Sequence, residues 1–291
     1  MQVVLHLGAH CTDEDQLIKC LAQNRGKLSE QGIIIPAPAR YRPVIRQALR
    51  NNPGQSASLE TQDLILDAII DEDEAERVIL SHDCFISVVD KALGEDQIYP
   101  NVGTKMPEVM SLFSKHDLEF HIAIKDPATF VPALFDRSEE AHLRNFLDGV
   151  DPMRLRWSNM IQRLHDAAPD VPITVWCNED SPLIWPEVLA SLAGHDEFTV
   201  LEGADRFIAS LMAPKGFRRM KAFLAKNPPQ NIRQRRKIEA AFLEKFARED
   251  AVEAEIDLPG WTEQYVQTLS TLYYQDIETI AEIDNVVFIE P

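Results

Sequence analysis

Short apolar runs alternate along the chain with longer segments in which Leu, Ile and Phe recur at three- and four-residue intervals. This is the pattern of strands interleaved with helices around a mostly parallel sheet, an α/β protein. Four runs read as strands: Val3 to Leu7, Arg77 to Leu80, Glu119 to Ile124 and Pro172 to Trp176, each followed by a polar loop. Ile33 to Ile35, Phe198 to Leu201 and Val286 to Ile289 are candidates for further short strands. Leu17, Leu21 and Leu28 place a helix within Asp15 to Glu30, with Gly32 as its stop. Residues 41–74 read as a helical insertion, broken at Asn51-Asn52-Pro53-Gly54 and leading into the acidic run Asp71 to Glu76. Arg154 to Ala168 and Leu183 to Ala193 are helices expected to pack on the sheet. Helices near 207–225, 232–248 and 262–282 make residues 206–291 a helical cap on a single domain spanning 1–291.

Composition narrows the class. With 291 residues, 45% of them hydrophobic and 26% charged, the chain is globular, and it has no apolar run long enough for a membrane span. The opening MQVVLHLGAH has no basic segment or small-residue cleavage site, so a cytoplasmic protein is expected. Four irregularly spaced cysteines, Cys11, Cys20, Cys84 and Cys177, read as free thiols. A net charge of -18 argues against general nucleic-acid binding. Against that background, Arg206 to Lys237 holds ten basic residues and no acid. Arg218, Arg219, Arg235 and Arg236 are the candidates there for an anionic ligand or partner; the alternative is a solvated helical pair lying on acidic neighbours.

In an open α/β sheet, ligands sit at the carboxyl ends of the strands, so the loop from Gly8 to Asp15 is the first place to look for chemistry. The stretch LHLGAHCTDEDQLIKCLAQNRGKLSEQGIIIP, with its strand, GAH-x-T loop, helix and Gly-Ile-Ile-Ile-Pro exit, resembles the start of bacterial sulfotransferases. Members of that family carry a loop close to G-x-x-K-T-G-[ST]-[ST] that holds the 5′-phosphosulfate of 3′-phosphoadenosine 5′-phosphosulfate (PAPS). Ile79-Leu80-Ser81-His82-Asp83 resembles the family's Ser-Ser-Glu strand end, and IAIKDPATFVPALF, Ile122 to Phe135, resembles its Arg-x-Pro segment. The resemblance implies a three-layer, P-loop NTPase-like fold of the sulfotransferase type. It assigns donor-binding positions to Gly8, His10, Cys11, Thr12, Asp13, Glu14, Asp15, Ser81 and Lys125, and acceptor-base positions to His82 and Asp83.

The same register shows what has been replaced. The family lysine falls on Cys11, its glycine on Asp13 and its hydroxyl pair on Glu14 and Asp15; the serine that follows the Arg-x-Pro segment falls on Ala133. A phosphate loop works through backbone amides at a helix start, a neutralising lysine and glycines that permit close approach. A carboxylate about 5 Å from a phosphate charge instead costs roughly 3 kcal/mol at an effective dielectric near 20. The three acids are expected to cap the following helix and fill the anion site themselves.

The expectation is therefore a sulfotransferase-like protein that has lost PAPS-dependent sulfuryl transfer and acts as a binding or repurposed relative, without a cofactor. One alternative is an active sulfotransferase that holds PAPS, or its product 3′-phosphoadenosine 5′-phosphate (PAP), through Lys125 and the basic segment. Another is a metal-dependent hydrolase. His6, His10 and Cys11 end one strand and His82, Asp83 and Cys84 another, so these groups can converge. Their spacing matches no zinc pattern, and no metal is assigned. Cys11 is expected to be a plain thiol, its pKa raised by the nearby carboxylates more than the helix start lowers it.

Overall fold

The computed structural model describes residues 1–291 except 52, 71–74, 197, 249–255 and 257. Its centre is a six-stranded sheet of β1 (Gln2–His6), β2 (Ile33–Ile34), β3 (Arg77–Ser81), β6 (Asp117–Ile124), β7 (Ile173–Cys177) and β8 (Val286–Ile289). The strand order is β2-β3-β1-β6-β7-β8 and every pairing is parallel. A separate hairpin of β4 (Leu93–Gly94) and β5 (Gln97–Ile98) lies between β3 and β6 in sequence. The expected α/β class with a mostly parallel sheet is what the chain adopts.

Side chains alternate across this sheet, and both faces are covered. Val3, Leu5, Leu80, Ile122 and Val175 face one apolar layer, built from α3 (Pro38–Asn51), α4 (Leu59–Ile69), α5 (Val102–Ser111), α6 (Pro127–Arg137), α8 (Trp157–Ala167) and a long helix, here α13 (Glu263–Ala281). Val4, Ile79, Ala123 and Trp176 face the other, built from α1 (Gln16–Gln23), α2 (Arg25–Ser29) and α9 (Ser181–Ala193). Each fully buried large aliphatic or aromatic side chain contributes about 1.5–3 kcal/mol of transfer free energy, so the two layers hold the sheet from both sides. The chain runs from β1 outward to β2, returns to β3, then crosses to β6 on the other side of β1. That reversal opens a crevice at the carboxyl end of β1, where the loop from Gly8 to Asp15 sits.

Several sequence expectations change in detail. The helix expected over Asp15 to Glu30 is two, divided at Asn24. Asn24 Nδ2 donates to the carbonyls of Cys20 and Glu202, and its Oδ1 accepts from the Glu202 amide, so this side chain fastens the helix break to a distant loop. Phe198 to Leu201 forms no strand. The Phe198 amide and the Thr199 hydroxyl both donate to Asp196 Oδ1, an Asx-type turn that replaces strand pairing and leaves Phe198 83% exposed. The helix near 207–225 is split into α10 (Arg206–Leu211) and α11 (Pro214–Lys226), with Pro214 opening the second.

The carboxyl-terminal third occupies two places. α10, α11 and α12 (Ile232–Phe246) enclose a small cluster of their own around Ile208, Met212 and Met220. The segment from α13 onward belongs to the main body. β8 extends the sheet beside β7, and Asp276 on α13 accepts hydrogen bonds from the Trp157 and Ser158 amides at 2.6 and 3.1 Å, capping the start of α8. The 41–74 region supplies α3 and α4, while Asn52 and the acidic residues Asp71 to Glu74 lie outside the described residues. All four cysteines are free. Among the described residues, no helix is long and apolar enough to cross a membrane.

Candidate functional site

Gly8 leaves β1 with φ +94°, and a Cβ added there would lie 2.9 Å from the Cα of Asp83, so only glycine fits against the strand-end loop of β3. Cys11, Glu14 and Asp15 also adopt left-handed backbone, at φ 58°, 50° and 63°. Asp13, at the family's glycine position, does not. A non-glycine residue held in this region costs on the order of 1–3 kcal/mol, and the surroundings hold the loop in place. Lys125 Nζ donates to the Cys11 carbonyl at 2.9 Å, the Cys11 thiol donates to the Ala133 carbonyl at 3.3 Å, and the Thr12 hydroxyl donates to the Ala9 carbonyl at 2.7 Å.

The three acids do different work, which corrects the expectation that all of them cap the helix. Asp13, 9% exposed, alone does so: its Oδ2 accepts from the Leu17 amide at 2.9 Å. Asp15 makes no side-chain cap. It accepts a fork of hydrogen bonds from Arg42 of α3, at 2.6 and 3.1 Å, and this bonding holds its carboxyl below the usual carboxylate range. Arg42 also donates from Nε and Nη2 to the Ser81 carbonyl, tying the tip of β3 to the loop of β1. The more exposed Glu14 meets Arg137 of α6 at 3.5 Å, and Arg137 reaches Asp83 at 3.4 Å. Four carboxylates, Asp13, Glu14, Asp15 and Asp83, thus share the crevice with the cations Arg42, Lys125 and Arg137.

A second correction concerns Cys11. Its pKa is raised, but burial is the main cause; Glu14 contributes least, and Arg137 and Lys125 oppose the rise. The six strand-end groups expected to converge do so only in part. A ring nitrogen of His10, a carboxylate oxygen of Asp83 and Cys84 Sγ all lie within 4.8 Å of one another. His6 turns to the opposite face, where Nδ1 meets the Ser81 hydroxyl at 2.9 Å and the ring stacks on Trp176. His82 packs edge-on against Phe85 and lies 3.3 Å from Asp83 Oδ1, an interaction that is the first cause of the lowered Asp83 pKa. His10 is fully buried, its pKa lowered to about 4 chiefly by desolvation. The Cys84 thiol is pushed up to about 11, again chiefly by burial.

The basic segment supplies less free charge than its sequence suggests. Arg235 pairs with Asp205 at 2.7 Å and with the buried Glu239 at 2.8 Å, and Arg236 lies 3.6 Å from Glu187. Arg218 and Arg219 are exposed on α11, the latter with its guanidinium 5.8 Å from the Phe246 ring centroid. Sequence reasoning missed Arg42, Arg137 and Tyr99. Tyr99 is buried, and its hydroxyl meets the His10 amide at 3.0 Å and His10 Nδ1 at 2.7 Å. None of the three stands in a motif; only the fold brings them to the crevice.

No family model matches the chain, and no curated protein matches it. Among solved structures, it is similar to the crystal structure of a sulfotransferase from Alicyclobacillus acidocaldarius, at 13% identity and a TM-score of 0.37, over 89% of this chain and 97% of that one. At that identity and overlap, no residue role passes from one to the other.

Proposed function

We propose that this chain is a sulfotransferase-like protein whose phosphosulfate loop is closed by its own charges, and that it acts by binding rather than by PAPS-dependent sulfuryl transfer. The observation that carries the reading is the placement of Asp13 and Asp15. The first occupies the Leu17 amide at the helix start, and the second is clamped by Arg42. An incoming polyanion would have to displace Asp13 from that amide and approach four carboxylates whose neighbouring cations, Arg42, Arg137, Lys125 and Lys19, are already held by those acids or by the loop backbone. Each uncompensated like charge about 5 Å away opposes it by roughly 3 kcal/mol, and about 1.4 kcal/mol is tenfold in affinity. Lys125 is engaged with the Cys11 carbonyl and Arg235 and Arg236 with carboxylates, which leaves Arg218 and Arg219, exposed on α11, as the basic-segment candidates for an anion.

Calorimetric titration of the full chain with PAP tests this. No saturable heat is expected at millimolar nucleotide; a micromolar Kd restores the active-transferase reading and removes this one.

A further inference from the structure

Beside the closed loop, Asp83, one of the four carboxylates of the crevice, stands with two side chains that the proposed function does not use. His10, on the loop after β1, and Asp83 and Cys84, after β3, offer one nitrogen, one oxygen and one sulfur within 4.8 Å of one another. His10 Nε2 and Cys84 Sγ are 3.9 Å apart. A tetrahedral zinc ion sets nitrogen and sulfur ligands about 3.6 Å apart, so a small contraction seats an ion between them.

His10 is buried, and its Nδ1 is held at 2.7 Å by the Tyr99 hydroxyl. That contact fixes the ring plane and leaves Nε2 facing the Cys84 thiol, the way outer-shell partners orient metal-bound histidines. In this arrangement the contact made by Nε2 is the long one to the thiol, a poor match for a buried polar nitrogen. Cys84 also lines an open pocket of about 420 Å³ with Ile45, Arg46, Leu49, His82 and Phe85, so the group meets that pocket on its thiol side.

We propose that His10, Asp83 and Cys84 form a three-ligand site for a borderline divalent transition-metal ion, zinc foremost, with the fourth coordination position open toward that pocket. The donor set suits zinc, which accepts imidazole, carboxylate and thiolate; magnesium and calcium prefer oxygen alone. A thiolate and a carboxylate neutralise the two charges of the ion, while Arg137, 3.4 Å from Asp83, competes with the ion for that carboxylate and lowers its affinity. Binding transfers the Cys84 thiol proton to solvent and forms the metal–sulfur bond, with no change of oxidation state.

The test uses the full chain loaded with zinc sulfate, desalted and analysed for metal by mass spectrometry, alongside Cys84→Ser and His10→Gln. About one zinc per wild-type chain is expected, with each variant weakened more than about tenfold. Cobalt loading is expected to give a thiolate-to-metal charge-transfer band in the wild type that Cys84→Ser lacks, while far-ultraviolet dichroism shows the variant folded. Wild-type protein retaining less than about a tenth of an equivalent, or a folded Cys84→Ser retaining as much zinc as wild type, overturns the site. Because no nucleotide is present, either result is independent of the PAP titration.

Discussion

At the loop after β1, its three carboxylates and Asp83 from the end of β3 meet cations carried there by α3, by α6 and by the end of β6, and the groups are locked into a half-buried lattice. In α11 and α12 the charges come from one continuous basic stretch, and two arginines are paired while Arg218 and Arg219 face solvent. Charge in sequence is thus a poor guide to charge in space. The acidic loop is largely compensated by residues far along the chain, and the basic segment is partly cancelled by Asp205, Glu187 and Glu239. What distinguishes the two regions is not burial, since the Arg235 and Arg236 pairs are at least as buried as those of Arg137, but that the basic segment keeps exposed arginines beside its paired ones.

Acidification should separate them most. Folded His10 has a pKa of about 4, against about 6.5 unfolded, so between those values the unfolded chain binds a proton that the folded chain does not. The His10 contribution is therefore fully present above about pH 6.5 and is lost at about 1.4 kcal/mol per pH unit, roughly 3 kcal/mol by pH 4. Buried His6 and His121, both lowered by desolvation, act in the same direction. Urea midpoints at several pH values measure this, and a midpoint unchanged down to pH 4.5 contradicts it.

A smaller effect is expected from Arg42→Ala, which strips Asp15 of its partner and the Ser81 carbonyl of two donors: a loss of about 2 kcal/mol, read as a lower urea midpoint at unchanged slope. Within the basic pair, Arg235→Ala leaves Glu239 buried without its cation and should cost about 1.5 kcal/mol, whereas Arg218→Ala should stay within about 0.5 kcal/mol. Equal melting points for these two variants would dissolve the contrast inside α11 and α12.

The strands β1, β3, β6, β7 and β8 could be read from the sequence because each is a compact apolar run whose burial is set locally. Phe198 to Leu201 has the same composition, but the Asp196 turn decides against pairing. The hairpin at Leu93–Ile98 escaped notice because its strands are two residues each. At the crevice, the loop residues were identifiable, since a strand followed by Gly8 and a helix marks the carboxyl end of β1. Their partners were not: Arg42, Tyr99 and Arg137 lie roughly 30 to 125 residues away and obey no spacing rule. The division of labour among Asp13, Glu14 and Asp15 depends on those partners, so it too was hidden.

The position of β1 bears on how the molecule assembles. The first strand along the chain is paired on one side with residues starting at Arg77 and on the other with residues starting at Asp117. Its apolar length has no sheet neighbour until long stretches of later chain have been made, so ordering it requires closing large loops before any pairing enthalpy is recovered. β1 is accordingly ordered by distant encounters rather than by local contacts, and until the residues from Arg77 and Asp117 are in place it is an unpaired apolar strand exposed to other chains.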